Sequence, residues 1–118
     1  MTARHLEADV RCGPIATVVD LHGDISSASD ETLGAAYARA EACGPRPIAL
    51  NFHDVDYINS SGIALIVGLL VRARKSNRAL LAFGLSDHYV EIFRITRLTD
   101  FMSIFPDEEL ALASAKSA

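Results

Sequence analysis

The positions richest in chemistry are Asn59-Ser60-Ser61-Gly62. Asparagine and serine are the side chains that cap helix N-termini, and Gly62 relaxes the backbone for a tight turn into a helix. Such a terminus presents unpaired N–H groups and a partial positive charge. A serine hydroxyl there lies at the surface beside donors. A phosphate placed on it adds about −1.5 to −2 charges, which the same amides stabilise, so the fold survives and the effect falls on binding. By residue type alone, Ser60 is first of all an ordinary N-cap.

Other nucleophiles and bases do not assemble into a site. A serine hydrolase needs a base oriented to its nucleophile. No GxSxG elbow occurs, and His5, His22, His53 and His88 have neither triad nor metal spacing. His53-Asp54 lies close to Ser60 in sequence but reads as a strand end at the surface. No Walker loop or GxGxxG is present to cradle a nucleotide. The chain is therefore read as a non-enzyme without a cofactor or metal. Cys12 and Cys43 have no CxxC spacing and no companion cluster, and are expected as free thiols in a reducing cytosol.

The elements that must hold Ser60 follow from periodicity and punctuation. The 118 residues suit one domain with a core of its own. A hydrophobic share of 50% and a charged share of 22% argue against disorder. Net charge is −4, which disfavours a phosphate-backbone partner. The basic cluster Arg72, Arg74, Lys75 and Arg78 reads as a solvated helix end that suits the helix dipole. Met1–Val10 lacks the apolar run of a secretory signal. The charge-free run Tyr57–Val71 is broken by polar residues and glycines and is too short to span a bilayer. A soluble, cytoplasmic protein is expected.

Strands are expected at Ile15–Leu21, ended by Gly23-Asp24, at Pro47–Phe52, at Ala79–Gly84 as a central strand, and at Phe101–Phe105. Leu33, Ala36, Tyr37 and Ala40 form a helical stripe behind the caps Ser26, Ser27 and Ser29, stopped by Gly44-Pro45. A helix over Gly62–Ser76 turns Ile63, Ile66, Val67, Leu69 and Leu70 to the core. Its other side carries Ala64, Gly68, Arg72 and Lys75. The small residues there are tolerated by the helix ladder, or let a neighbouring element pack closely, or leave a shallow groove for a partner. Ser86 or Asp87 caps a short helix with Val90, Ile92, Phe93 and Ile95, and Pro106 opens a last helix that frays after Ser114. Strands alternating with helices give an α/β fold with a largely parallel or mixed sheet.

The stretch Ile48–Leu70, above all Asp56-Tyr57-Ile58-Asn59-Ser60-Ser61-Gly62-Ile63, resembles the signature of STAS domains of the anti-sigma factor antagonist type. Leu21-His22-Gly23-Asp24-Ile25 is similar to the family's early strand and turn, and Phe93-Arg94-Ile95-Thr96-Arg97-Leu98 to the segment before its last strand. The resemblance implies a single STAS domain over residues 1–118, with its core about 5–113, built as a four- or five-stranded mixed sheet flanked by about four helices. It implies partner switching. The unphosphorylated antagonist binds an anti-sigma factor that is a serine kinase and so frees a sigma factor. The kinase phosphorylates the antagonist and releases it, and a metal-dependent serine phosphatase restores it.

Matched residue by residue, the implied phosphoacceptor is Ser60, with Asn59, Ser61 and Gly62 as motif neighbours. The family usually has aspartate where Asn59 stands. Its kinase-contacting acid in the early turn aligns with Ser26, two residues after Asp24. Asp24, Ser26, Ala64, Gly68 and Arg72 are the expected partner-binding residues. STAS modules also serve as constitutive scaffold subunits of lipid-transport ABC complexes and stress-signalling assemblies, which is the alternative function. Oligomeric state is not readable.

Overall fold

Strands and helices alternate along the chain as its punctuation requires. The structure, a computed structural model, describes residues 4–117; the first three residues of the Met1–Val10 segment lie outside it. In order come β1 (Glu7–Arg11), β2 (Thr17–Ile25), α1 (Asp30–Ala42), β3 (Ile48–Ile58), α2 (Ser60–Lys75), β4 (Leu80–Phe83), α3 (Asp87–Ile95), β5 (Ser103–Phe105) and α4 (Glu108–Ser117). Short 3-10 turns at Ser27–Ser29 and Leu98–Asp100 precede α1 and β5. The sheet order is β1-β2-β3-β4-β5, with β1 antiparallel to β2 and every other pair parallel. This is the mixed five-stranded α/β sheet expected.

Helices α1, α2 and α3 cover one face of the sheet. Tyr37, Phe52, Ile66 and Phe93 are fully buried there, and the Phe52 and Phe93 rings meet edge-on at 5.8 Å. A smaller cluster on the other face packs Ala111 of α4 on Val18, Ala49, Leu81 and Phe83. Alternation in β3 therefore sends Ile48, Leu50 and Phe52 to the large core, while Ala49 joins the cluster under α4. The strand at 80–83 is buried throughout and lies inside the sheet between β3 and β5, as its apolar run predicts.

Several boundaries differ from the sequence reading. β2 continues through Gly23 to Ile25, with register shifts against β3 on both sides of the glycine. β3 runs six residues past Phe52, to Ile58. β1 gave no strand signal because its half-buried Ala8 and Val10 alternate with exposed Glu7, Asp9 and Arg11; charges of this kind guard a sheet edge. Pro106 does not open α4: Asp107 caps it, accepting the Leu110 N–H at 2.9 Å, and the helix holds to Ser117. Among the described residues no helix is long and apolar enough to cross a membrane.

Two expectations about side chains are overturned. Cys12 and Cys43 are bridged, not free. They lie 31 residues apart in sequence, but the β1–β2 turn and the end of α1 bring their Cα atoms to 5.5 Å, within the range a disulfide spans. Arg78 does not belong to the solvated helix end. It is half-buried and donates to the carbonyls of Gly44 at 2.8 Å and Arg46 at 2.6 Å.

Helix α4 is fastened by charge as well as packing. Arg11 donates to Asp20 at 2.6 Å and to Glu108 at 2.7 Å, and Asn51 donates to Asp20 at 2.8 Å. Burial alone would raise the Asp20 pKa, but the hydrogen bonds from Arg11 and Asn51 outweigh it and hold the carboxyl below its ordinary value. A depressed folded pKa stabilises the fold above the unfolded value of about 3.9 and ceases to do so as pH falls through the folded value. The Asp20→Asn protein should therefore be less stable than wild type at pH 7. The difference should shrink as pH is lowered below about 4; urea midpoints measured across that range check it.

Candidate functional site

The β3–α2 junction is held from three sides. At its end, the Ile58 N–H donates to the buried Tyr89 hydroxyl of α3 at 2.8 Å. The next amide, Asn59 N–H, donates to the Ile25 carbonyl at the end of β2 at 3.1 Å. The Asn59 side chain then turns back: its Oδ1 accepts the Gly62 N–H at 2.8 Å, while its carbonyl accepts the Ile63 N–H at 2.9 Å. Asn59 is thus the N-cap of α2, with an extended backbone at φ −88° and ψ −179°.

This corrects the simplest reading of Ser60. It is not the cap but the first helical residue, and it is exposed, as is Ser61. The cap consumes the amides of Gly62 and Ile63. Among the described residues no protein acceptor meets the amides of Ser60 and Ser61 at the helix mouth, where the dipole is positive.

Gly62 is required for a reason the sequence does not reveal. Its backbone is ordinary, but a Cβ there would lie 2.3 Å from the Ile25 carbonyl oxygen and 2.9 Å from the Ile58 side chain. The glycine admits the end of β2 against the first turn of α2.

Two concavities flank the junction. Asp24, Ser26 and Asn59 line one of about 190 Å³ together with Arg4, Ser29 and Tyr57. The Asp24 carboxylate accepts the Arg4 backbone N–H at 3.0 Å, and the Arg4 side chain reaches Asp56 at 3.0 Å. Ser26 caps the 3-10 turn: its hydroxyl accepts from Ala28 N–H, and Ser29 accepts from Ser26 N–H in return. The second concavity, about 230 Å³, is a groove between α1 and α2. Asp30 and Gly34 form one wall, and Ala64, Gly68 and Arg72 the other.

A Cβ at Gly68 would meet nothing within 4 Å, so no neighbour packs closely there and the groove is real. Ser60 and Ser61 line neither concavity, although Ala64 follows Ser60 by one helical turn on the same face. Arg72 is fixed in the α2 wall of the groove. It pairs with Glu41 of α1 and stands 5.0 Å over the Tyr37 ring. Burial, with Glu41 adding to it, pushes the Tyr37 phenol above its ordinary pKa.

Val67, expected in the core, is 40% exposed, while Ile66, Leu69 and Leu70 of the same helix are buried. The sequence reading also passed over Tyr57, which is 55% exposed beside the junction. It reads as one of the last apolar pair, Tyr57-Ile58, before the motif, and its exposure is visible only in the structure. Arg4 and the wall residues Asp30 and Gly34 were missed as well. For Gly34 the available signal was a glycine inside a predicted helix.

The STAS domain family profile matches residues 6–111. BtrV of Bordetella bronchiseptica, named for anti-sigma factor antagonism, is 33% identical over 101 residues, 83% of this chain and 84% of that protein. The anti-sigma-B factor antagonist of Staphylococcus aureus is 36% identical over 61 residues; that match spans 52% of this chain and only 56% of the antagonist's length. The anti-sigma factor antagonist SpoIIAA in its unphosphorylated form superposes with a TM-score of 0.70 at 17% identity, covering 94% of this chain and 99% of that one. The phosphorylated form of SpoIIAA, from Bacillus, gives 0.67 at 19% identity, covering 91% and 97%. At these identities the likeness establishes the fold.

Three substitutions separate the roles at the junction, each read from urea unfolding. Gly62→Ala forces the Ile25 carbonyl away and should destabilise by about 1–3 kcal/mol. Gly68→Ala meets open space in a helix interior and should stabilise by about 1 kcal/mol. Tyr89→Phe strands the buried Ile58 N–H and should cost about 1–3 kcal/mol.

Proposed function

We propose that this chain, which belongs to the STAS domain family, is an anti-sigma factor antagonist switched by phosphorylation of Ser60. In its unphosphorylated state it binds an anti-sigma factor that is a serine kinase, and the sigma factor held by that kinase goes free. The chain acts in the cytoplasm, where sigma factors work, and forms a single STAS domain. The observation that carries this reading is the division of labour at the junction. Asn59 makes the cap, so the exposed Ser60 hydroxyl is left over for chemistry.

Phosphorylation transfers the γ-phosphoryl group of ATP. The Ser60 oxygen bonds to phosphorus, the bond to the β-phosphate oxygen breaks, ADP leaves, and the hydroxyl proton passes to a base of the kinase. The product gains about −1.5 to −2 charges at a helix mouth that suits them, so the domain stays folded. A partner seated on the Ala64–Gly68 groove, one turn from Ser60, meets that charge and its hydration directly. Asp24 and Ser26 offer the adjoining contact. A metal-dependent serine phosphatase hydrolyses the ester and restores the hydroxyl.

The chain carries Asn59 where the family usually has aspartate. It keeps the cap and removes one negative charge beside the incoming phosphate. Incubation with the anti-sigma kinases of the same genome and ATP, followed by mass mapping, should place one phosphate on Ser60. Ser60→Ala should escape modification and still bind, whereas Ser60→Asp should bind roughly tenfold or more weakly by calorimetry, as a charge buried at an interface without a partner does. Wild-type protein left unmodified by every such kinase would sink the switch. A partner that binds Ser60→Asp as tightly as wild type would make the chain a constitutive scaffold.

A further inference from the structure

Cys12 and Cys43 lie far from the junction, at the opposite end of the parallel strands. Cys12 follows β1, and Cys43 is the C-cap of α1. Around them, three segments are laced together. Arg46 donates to the Pro14 carbonyl at 2.9 Å, joining the segment after α1 to the β1–β2 turn. Arg78, from the loop after α2, donates to the Gly44 and Arg46 carbonyls. The disulfide is the covalent strand in this lacing.

We propose that Cys12 and Cys43 form a reversible thiol–disulfide couple that sets the freedom of the C-terminal turn of α1. Three observations carry it. Cys12 is exposed and Cys43 half-buried, so a small thiol reaches the pair; accessible bridges are the labile ones. A depression of about 410 Å³ opens beside Cys12, lined by Pro14, Ile15 and Leu112, with room for such a thiol. The Arg46 side chain ties the segment after α1 to the β1–β2 turn, bonding Pro14 and standing 3.0 Å from where a Gly44 Cβ would lie, so the two cysteine-bearing segments are held together by more than the bridge.

The chemistry balances with glutathione. Two cysteine thiols and one glutathione disulfide give the protein disulfide and two glutathione thiols, and the reverse reaction reduces it. Helix α1 transmits the change. Glu41, two residues before Cys43, holds Arg72 in the wall of the α1–α2 groove. Loosening the end of α1 therefore reaches the groove wall. The regulatory sense of the couple rests on reading the chain as a cytoplasmic regulator, where disulfides that do form are transient and sensing; its chemistry does not.

The test uses the unmodified chain alone, with no kinase, so its failure leaves the Ser60 reading standing. The protein is equilibrated in glutathione buffers of stepped oxidised-to-reduced ratio, quenched in acid, alkylated and weighed. Interconversion between an intramolecular 12–43 bridge and two alkylated thiols is expected within the series. In the reduced form, amide exchange at Cys43, Gly44 and Arg78 should quicken roughly tenfold, since segments open with their own free energies. Amides of the β3–α2 junction should exchange alike in both forms. The proposal is overturned by thiols at every ratio, by a bridge that excess reduced glutathione leaves intact, or by equal exchange of the three amides in the two forms.

Discussion

The carbonyl of Ile25 is the point on which the β3–α2 junction turns. It accepts the Asn59 N–H at 3.1 Å, and the same oxygen presses where a side chain on Gly62 would stand. One backbone group at the end of β2 therefore fixes where β3 stops, where α2 starts and which residue can occupy the third position of the helix. Tyr89 adds a second constraint from α3 by satisfying the Ile58 N–H in the buried interior. An amide buried without a partner costs about 1–3 kcal/mol, so the junction has little freedom to drift. Ser60 inherits its place from these contacts and makes none of them.

The two ends of the fold are held by different physics. At the junction, backbone hydrogen bonds and a missing side chain set the geometry. Beyond Arg11, the chain relies on charge and covalency: Arg11 bridges Asp20 and Glu108 across β1, β2 and α4, and Cys12 is joined to Cys43. The cluster under α4 is small, so the ion pairs supplement limited packing. With α2 spanning 16 residues, or about 24 Å, the ends are further apart than the Debye length of about 8 Å at physiological salt. Exposed charges at one end are screened from the other. Among the contacts that tie α1 to α2 between the two ends is the ion pair of Arg72 with Glu41.

What could be read from the sequence was local. Capping types, the Gly44-Pro45 stop and the apolar runs at 48–52 and 79–84 each encode their structure within a few residues, so the order of strands and helices was legible. A groove on the Ala64–Gly68 side of α2 was one of the alternatives the small residues offered, and the structure has a concavity there. What escaped was non-local. The need for Gly62 comes from a carbonyl 37 positions away in the chain, and the Cys12–Cys43 bridge from a turn that carries no spacing motif. β1 escaped because an edge strand guarded by charges has no apolar run. Val67 was misassigned because a helical wheel gives the direction of a side chain but not the position of the flanking helices.

Under the proposed switch, the separation of the Asn59 cap from the Ser60 hydroxyl means that modification and fold need not compete. Had Ser60 been the cap, its oxygen would have been the acceptor for a first-turn amide, and a phosphate ester there would have replaced that contact with a bulkier group at the helix start. Here the cap is the side-chain oxygen of Asn59, bonded to Gly62 at 2.8 Å, and the Ser60 oxygen is outside that bond. A phosphate on Ser60 adds charge beside amides that have no protein acceptor among the described residues, and removes no existing bond. Its influence is confined by screening to about a Debye length, which takes in Ala64 and the groove mouth one turn away. Asn59 sharpens the arrangement: an aspartate would accept the same N–H bond but place a second negative charge next to the phosphate. The neutral cap keeps the geometry and leaves the helix dipole and the two open amides to act on the phosphate alone.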